Sequence, residues 1–432
     1  MSTVPSADGA DASRMRLIVS LLAAALIFAF LFLRASAMLG DPDSWWHIRV
    51  GLDIIATGSV PTSDTYSHSF NGQPWIAKEW LSQVLLALAY RAGGWNGVVL
   101  SAAASISLAA FLLAWQFGKV LKPTLALALA LGVTLLSGSV FTARPHLFTL
   151  PIIVVWTASL FRAAQAGRPP PFQLLVLLWL WANLHASFTL GFVIAAFAGL
   201  AILVRDRLSR PRLLVQWGLF GASCVLVSLV NPYGIKAILA TFTVAGANEA
   251  VPMIGEWRPF NAARTPGNEA ALLLMLLGLL IAGLRIGLAK ALFVLFALHL
   301  YLVHERFVYV FFLLVPLILA PQIAEQHPCL SIGAWASQRR DGAGASPAAL
   351  PRGDGGRDRH HRHRWRAACR SCARSGPGDL GQGRHRLRQA ERPVGAGAQF
   401  LQSRRDADIP RHQDVHRRPD RPALSRRLCE RG

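Results

Sequence analysis

Hydrophobic runs separated by short polar breaks fill the first 320 of the 432 residues. A helix needs about 20 apolar residues to cross a bilayer. Runs of this character, several of them short, lie at 16–38, 95–117, 123–141, 147–164, 172–184, 187–204, 213–230, 270–285, 288–303 and 307–320. They predict an all-α polytopic membrane protein with about 10 transmembrane helices in a membrane domain over 1–325. Arg14 and Arg16 ahead of the first run imitate a signal peptide. The length of that run, and the further runs behind it, favour an uncleaved first helix instead.

One polar stretch interrupts this pattern. Residues 39–82 include DPDSWWHIRVGLDIIATGSVPTSDTYSHSFNGQPWIAKEW, which starts at Asp41 and ends at Trp80. Asp43 or Ser44 can cap a helix that runs to about Thr57, with Gly58 as its stop. Trp45, Ile48, Leu52 and Ile55 recur at the 3.6-residue period, which predicts one apolar face suited to a membrane interface. A polar turn follows. A second amphipathic helix begins at Trp80 and breaks at Gly93-Gly94. Further on, Trp181–Ser187 divides two half-length apolar segments and predicts a helical hairpin, and Asn231-Pro-Tyr-Gly234 ends another span.

Charge sets the orientation. Arg14 and Arg16, Lys119 and Lys122, Arg162 and Arg168, Arg205 to Arg212, and Arg285 and Lys290 all fall on one side if the runs simply alternate. Basic loops stay in the cytoplasm, so the N-terminus is expected inside. The opposite, extracytoplasmic side then receives Asp41–Trp80, Thr142–His146, Asn183–Ser187, Asn231–Glu269 and His304–Arg306.

Composition alters the picture at the C-terminal end. The chain is 53% hydrophobic with a formal net charge of +21. From Gln326 onward it carries 23 Arg, 10 Asp and Glu, and no Lys, so more than half of the charge sits in residues 326–432. A nucleic-acid partner is not expected, because the charge is not spread over a folded surface. A disordered basic tail is one reading of this segment. Translation in a shifted frame is favoured: Arg-Asp-Arg-His-His-Arg-His-Arg at 357–364 back-translates, one base on, to an apolar helical stretch. Cys369-Arg-Ser-Cys372 has zinc-site spacing, but a single CxxC is weak evidence for metal.

The candidate chemistry lies on the outer side. Asp41 and Asp43 beside Trp-Trp-His can supply a general base for an acceptor hydroxyl or hold a divalent cation, although Asp43 as a plain helix cap accounts for one of them. His47 can join them. Arg49, Lys78, Arg144 and Arg306 are outward cations; each alone can be a snorkelling side chain, and as a set they can cradle a lipid-linked phosphate. Asn183 and His185 sit in a broken helix, where polar groups usually face a cavity. Walker, dinucleotide and GxSxG motifs are absent from residues 1–325.

One span, then an outer loop opening on a D-x-D-type pair and carrying interfacial helices, then many spans, resembles the GT-C superfamily of membrane glycosyltransferases. Asp41–Ser67, GQPWIAKEWL, RPHLFT, NLHASF and NPYG resemble one bacterial branch of it, over about residues 15–320. The resemblance implies a bacterial inner-membrane enzyme that passes a sugar, with inversion, from a polyprenyl-phosphate donor to a glycan, lipid or protein acceptor. It implies an acidic base or metal ligand at Asp43 or Asp41, and phosphate contacts from the outer cations. Relatives often end in a soluble domain that this chain lacks in recognisable form. A transporter or flippase of a lipid-linked intermediate, with His299 as its main mid-span ionisable group, or an inactive membrane fragment, is the alternative.

Overall fold

A computed structural model of the chain describes residues 7–206, 209–245 and 255–336. The expectations for a frame-shifted or disordered tail, and for Cys369 and Cys372, lie outside the described residues. Apart from two isolated bridges, the regular structure among the described residues is helical. The helices are α1 (Ala7–Leu33), α2 (Ala35–Met38), α3 (Asp43–Thr57), α4 (Trp80–Phe117), α5 (Pro123–Leu136), α6 (Leu150–Ala166), α7 (Leu174–Leu184), α8 (Thr189–Asp206), α9 (Pro211–Ser228), α10 (Ile235–Ala245), α11 (Pro266–Ala282), α12 (Leu288–Val303) and α13 (Val308–Gln326). Prolines open α5, α9 and α11, where a missing N–H costs nothing.

Six stretches are long and apolar enough to cross a membrane: Ala10–Leu33, Trp80–Phe117, Pro145–Ala166, Ala186–Asp206, Pro211–Ser228 and Glu305–Gln326. That is the mark of a multi-pass membrane protein. The four other expected spans are helical too, but α5, α7, α11 and α12 have only 14, 11, 17 and 16 residues. These fall short of the roughly 20 residues that a spanning helix requires. Leu21, Leu108, Leu226 and Ile281 are exposed large apolar side chains on these helices, the arrangement of surfaces that meet lipid.

α4 is the central rod and packs against α1, α3, α5 and α6. It is broken as expected: Gly93 is non-helical and Gly94 has φ +58°, a conformation open to glycine at little cost. Buried Trp156, Trp181, Phe117 and Phe220 fill the interior, with Trp156 and Phe220 stacked at 5.7 Å.

The loops sort to two ends. At one end Ala143 N–H donates to Met38 O (2.8 Å), Ser82 Oγ to Leu184 O (2.7 Å), Asn183 Nδ2 to Val230 O (3.1 Å), and Phe260 N–H to Leu302 O (3.0 Å). At the other, Gln165 Nε2 donates to Glu325 (2.8 Å) and the Arg285 backbone exchanges hydrogen bonds with Gln326. The acidic and aromatic loops thus gather at one end and basic turns at the other.

Folding continues past residue 325, the boundary expected from composition. Lys122 N–H donates to Leu330 O (2.9 Å) and Ile332 N–H to Val120 O (3.0 Å), so residues up to 332 pin the turn after α4.

α3 has the expected bounds, and Gly58 closes it at φ +66°. Its cap and its buried face differ from expectation. Ser44 Oγ donates to Ala143 O (3.0 Å), and the carboxylate that accepts from the first turn is Asp41, through the Asp43 N–H (3.0 Å). The buried residues are Ser44, His47, Ile48, Val50, Gly51 and Ile54, whereas Trp45 is 63% exposed and rests edge-on against Trp95 at 4.3 Å. The reason is close approach. A Cβ on Gly51 would lie 2.0 Å from Gln83 O, so α3 meets α4 along a small, polar strip.

Candidate functional site

The loop between α3 and α4 is folded by its own turns. Asp64 Oδ1 accepts from the Tyr66 and Ser67 backbone N–H groups (2.8 and 3.0 Å). Trp75 N–H donates to Thr62 O (2.9 Å). Trp46, Tyr66 and Trp75 form a T-shaped cluster with centroids 4.9 to 5.8 Å apart, which lays the loop over α3. The Asn-Pro-Tyr-Gly turn then ties it down: Asn231 Oδ1 accepts from Tyr233 N–H (2.8 Å), and Tyr233 hydroxyl donates to Pro61 O (2.6 Å) and accepts from Ala77 N–H (2.9 Å). Ala77 is followed directly by Lys78 and Glu79.

Beneath this loop is a cavity of about 890 Å³. Asp41, Asp43, His47, Lys78, Arg144, His185 and Arg306 all line it, from segments up to 265 residues apart in the chain. Arg49 does not. It points away, 69% exposed, and pairs with Asp53 one helical turn on at 3.1 Å.

On one side, Arg144 holds the acidic pair. Its Nη1 lies 3.1 Å from Asp41 Oδ2 and its Nη2 2.8 Å from Asp43 Oδ2. Thr142 Oγ1 reaches Asp41 at 3.4 Å. The Asp41 side chain is 19% exposed and that of Asp43 is 50% exposed, so Asp43 is the carboxylate more open to a ligand.

Deeper in sits a carboxylate that sequence reasoning passed over. Glu79 Oε1 is 3.2 Å from His185 Nε2 and its Oε2 is 3.8 Å from His47 Nε2. Burial raises its proton affinity, opposed by Lys78, Arg144 and Arg306. Burial, seconded by Arg144, pushes His47 down to about 3, so that ring is neutral. Its Nδ1 faces Gln83 Nε2 at 3.3 Å. Ser187 N–H donates to His185 Nδ1 (3.1 Å), which leaves the proton of a neutral ring on Nε2, aimed at Glu79.

Across the cavity Lys78 and Arg306 supply positive charge. Burial lowers the Lys78 proton affinity first, with Glu79 raising it and Arg306 lowering it further. The Arg306 guanidinium stacks on Trp257 at 4.4 Å. His304 Nδ1 donates to Trp257 O (2.7 Å), and His146 Nε2 to Val140 O (2.8 Å), so among the described residues each of those rings keeps a single uncommitted nitrogen. His146, His304, Trp257 and Tyr309 join the lining without having been singled out from sequence. His146 lay within the RPHLFT segment and His304 two residues before Arg306, so proximity to a motif was the available signal.

Chemically, this is a chamber with exposed carboxylate oxygen at one wall, a buried protonatable carboxyl at its floor, and cations with aromatic support opposite. Such a set can take a proton from one group while holding an anion on another. Among the described residues, no three His, Cys, Asp or Glu side chains are grouped so as to hold a metal ion. The chain matches no family model, no curated protein and no solved structure.

Proposed function

We propose that this chain is an integral membrane glycosyltransferase that passes a sugar from a polyprenyl-phosphate donor to an extracytoplasmic glycan, lipid or protein acceptor. The observation that carries the reading is the meeting of half-exposed Asp43 with Arg144, Lys78 and Arg306 in one cavity at the loop end of membrane-spanning helices. A lipid-linked phosphate donor needs both elements at that depth: a base for the acceptor, and cations for the phosphate it leaves behind.

In this reading the acceptor hydroxyl oxygen bonds to the anomeric carbon while the bond from that carbon to the phosphate oxygen breaks. The hydroxyl proton passes to Asp43. The electron pair leaves with polyprenyl phosphate, whose charge Lys78 and Arg306 offset. Arg144 orients the two carboxylates, and attack from the face opposite the leaving group inverts the sugar. The basic turns at the far end of the helices support a cytoplasmic N-terminus in a bacterial inner membrane. With the shorter apolar helices counted as crossings, the membrane domain has about 10 spans.

The test is sugar transfer by the full-length chain in proteoliposomes carrying labelled polyprenyl-phosphate sugars. Asp43→Asn is expected to lower the rate by at least about a hundredfold, the usual contribution of a general base. Full activity in both Asp43→Asn and Asp41→Asn overturns the reading.

A further inference from the structure

At the end of the bundle opposite the cavity, two cations meet on one neutral atom and a third lies beside them. Lys119, just after α4, donates to Gln116 Oε1 at 2.8 Å, and Arg162 of α6 donates to the same oxygen. Arg16 of α1 lies over the ring of Trp115, 4.3 Å from its centroid, one residue away. Its Nη2 donates to Ser13 Oγ at 3.3 Å, while its Nε is buried with no hydrogen-bond partner among the described residues.

An amide oxygen carries no charge to offset three cations. Burial first, and then repulsion from Arg162 and Arg16, press Lys119 down to about 8. Glu325, which meets α6 one turn on from Arg162, accepts from Gln165 Nε2 at 2.8 Å. Like charges gather in this way when a ligand supplies the counter-charge. The setting narrows its chemistry. Trp115, stacked near Phe111 at 6.1 Å, is an aromatic of the kind that marks the headgroup layer at a membrane boundary.

We infer that Arg16, Lys119 and Arg162 form a site for a phosphate group at this face of the membrane, most directly the headgroup phosphate of an anionic phospholipid. The site is separate from the cavity and does not depend on the sugar-transfer reading. Its three cations come from α1, from the turn after α4 and from α6, so an occupied site ties these three helices together.

Native mass spectrometry of the full-length chain checks this, with phosphatidylglycerol and phosphatidylcholine added in parallel and inorganic phosphate titrated calorimetrically. Retention of phosphatidylglycerol over phosphatidylcholine by roughly tenfold or more is expected, since each basic side chain at an anionic surface adds appreciably to binding. The preference should vanish in a Lys119→Gln, Arg162→Gln double variant and survive in Lys119→Arg. Uptake of inorganic phosphate by the parent chain but not by the double variant also supports the site and makes its natural ligand a soluble phosphate. If the parent chain shows neither lipid preference nor phosphate binding, the inference fails whatever the variants do.

Discussion

Glu79 Oε1 and His185 Nε2 are 3.2 Å apart across 106 residues of chain, and the backbone N–H of Ser187 on the other ring nitrogen determines which of them donates. The imidazole gives and the carboxylate receives. Burial raises the proton affinity of this acid, and Lys78, Arg144 and Arg306 nearby oppose the rise without reversing it.

Replacing that acid by its neutral isostere has a predictable sign. A carboxyl whose folded pKa is raised contributes stability that is whole below the ordinary glutamate range and is lost as pH rises through the folded value. Glu79→Gln removes the loss. Its melting temperature in detergent should gain on the parent chain progressively as pH goes from about 4.3 into the neutral range. A difference that stays flat across this range contradicts the assignment.

His47 acts in the other direction. Its folded pKa is depressed to about 3, so the stability of its neutral ring is present above the unfolded value of 6.5 and is lost as pH falls. Each pH unit below 6.5 costs about 1.4 kcal/mol until the folded value is reached. Acid unfolding curves of His47→Gln should therefore be shallower between pH 6 and about 4 than those of the parent; superimposable curves would show that another group governs the acid limb.

Arg144 grips two carboxylates of unequal exposure, so its two couplings should be unequal. Asp41 is mostly sheltered and Asp43 half exposed. Double-mutant cycles with Arg144→Gln should return a coupling of about 1–2 kcal/mol to Asp41 and about 0.5 kcal/mol or less to Asp43, because solvent screens the latter. Equal couplings would mean that exposure is not what distinguishes them.

Tyr233→Phe removes a hydroxyl that serves one carbonyl and one N–H at once. Leaving both partly buried groups without a partner should cost about 1–3 kcal/mol. The loss should be local: protease cutting within residues 59–76 is expected to accelerate, with cutting elsewhere unchanged. Uniform acceleration would indicate general unfolding instead.

Gly51→Ala probes the contact of α3 with α4. The added carbon would sit 2.0 Å from Gln83 O and 2.4 Å from its carbonyl carbon, both backbone atoms that cannot rotate aside. A destabilisation of about 2–3 kcal/mol is expected, at the upper part of the range for overpacking. Normal melting behaviour would show that the two helices part easily.

Much of this was legible in residue patterns, and the exceptions share a cause. The bounds of α3 followed from an acidic turn and a stop glycine, and the break in α4 from Gly93-Gly94, because both are local properties of the chain. The gathering of Asp41, Lys78, Arg144, His185 and Arg306 followed from alternating loops. The buried face of α3 did not, because periodicity weighs side-chain hydrophobicity, whereas the close approach of Gln83 selects the residue with no side chain, Gly51, and brings Ser44 and His47 with it. Arg49 reads like Arg144 in sequence; only its position on the helix, one turn before Asp53, turns it away from the cavity. Glu79 was invisible as a site because its partners, His47 and His185, lie 32 and 106 residues away.

The joint at Gly93-Gly94 also separates two mechanical duties. A spanning helix tilts to match the thickness of the bilayer around it. The part of α4 before the joint is fastened instead to α3 through Gly51 and to the end of α7 through Ser82. Glu79 and the two imidazoles it meets, on α3 and at the end of α7, are therefore all fixed on the same side of the joint.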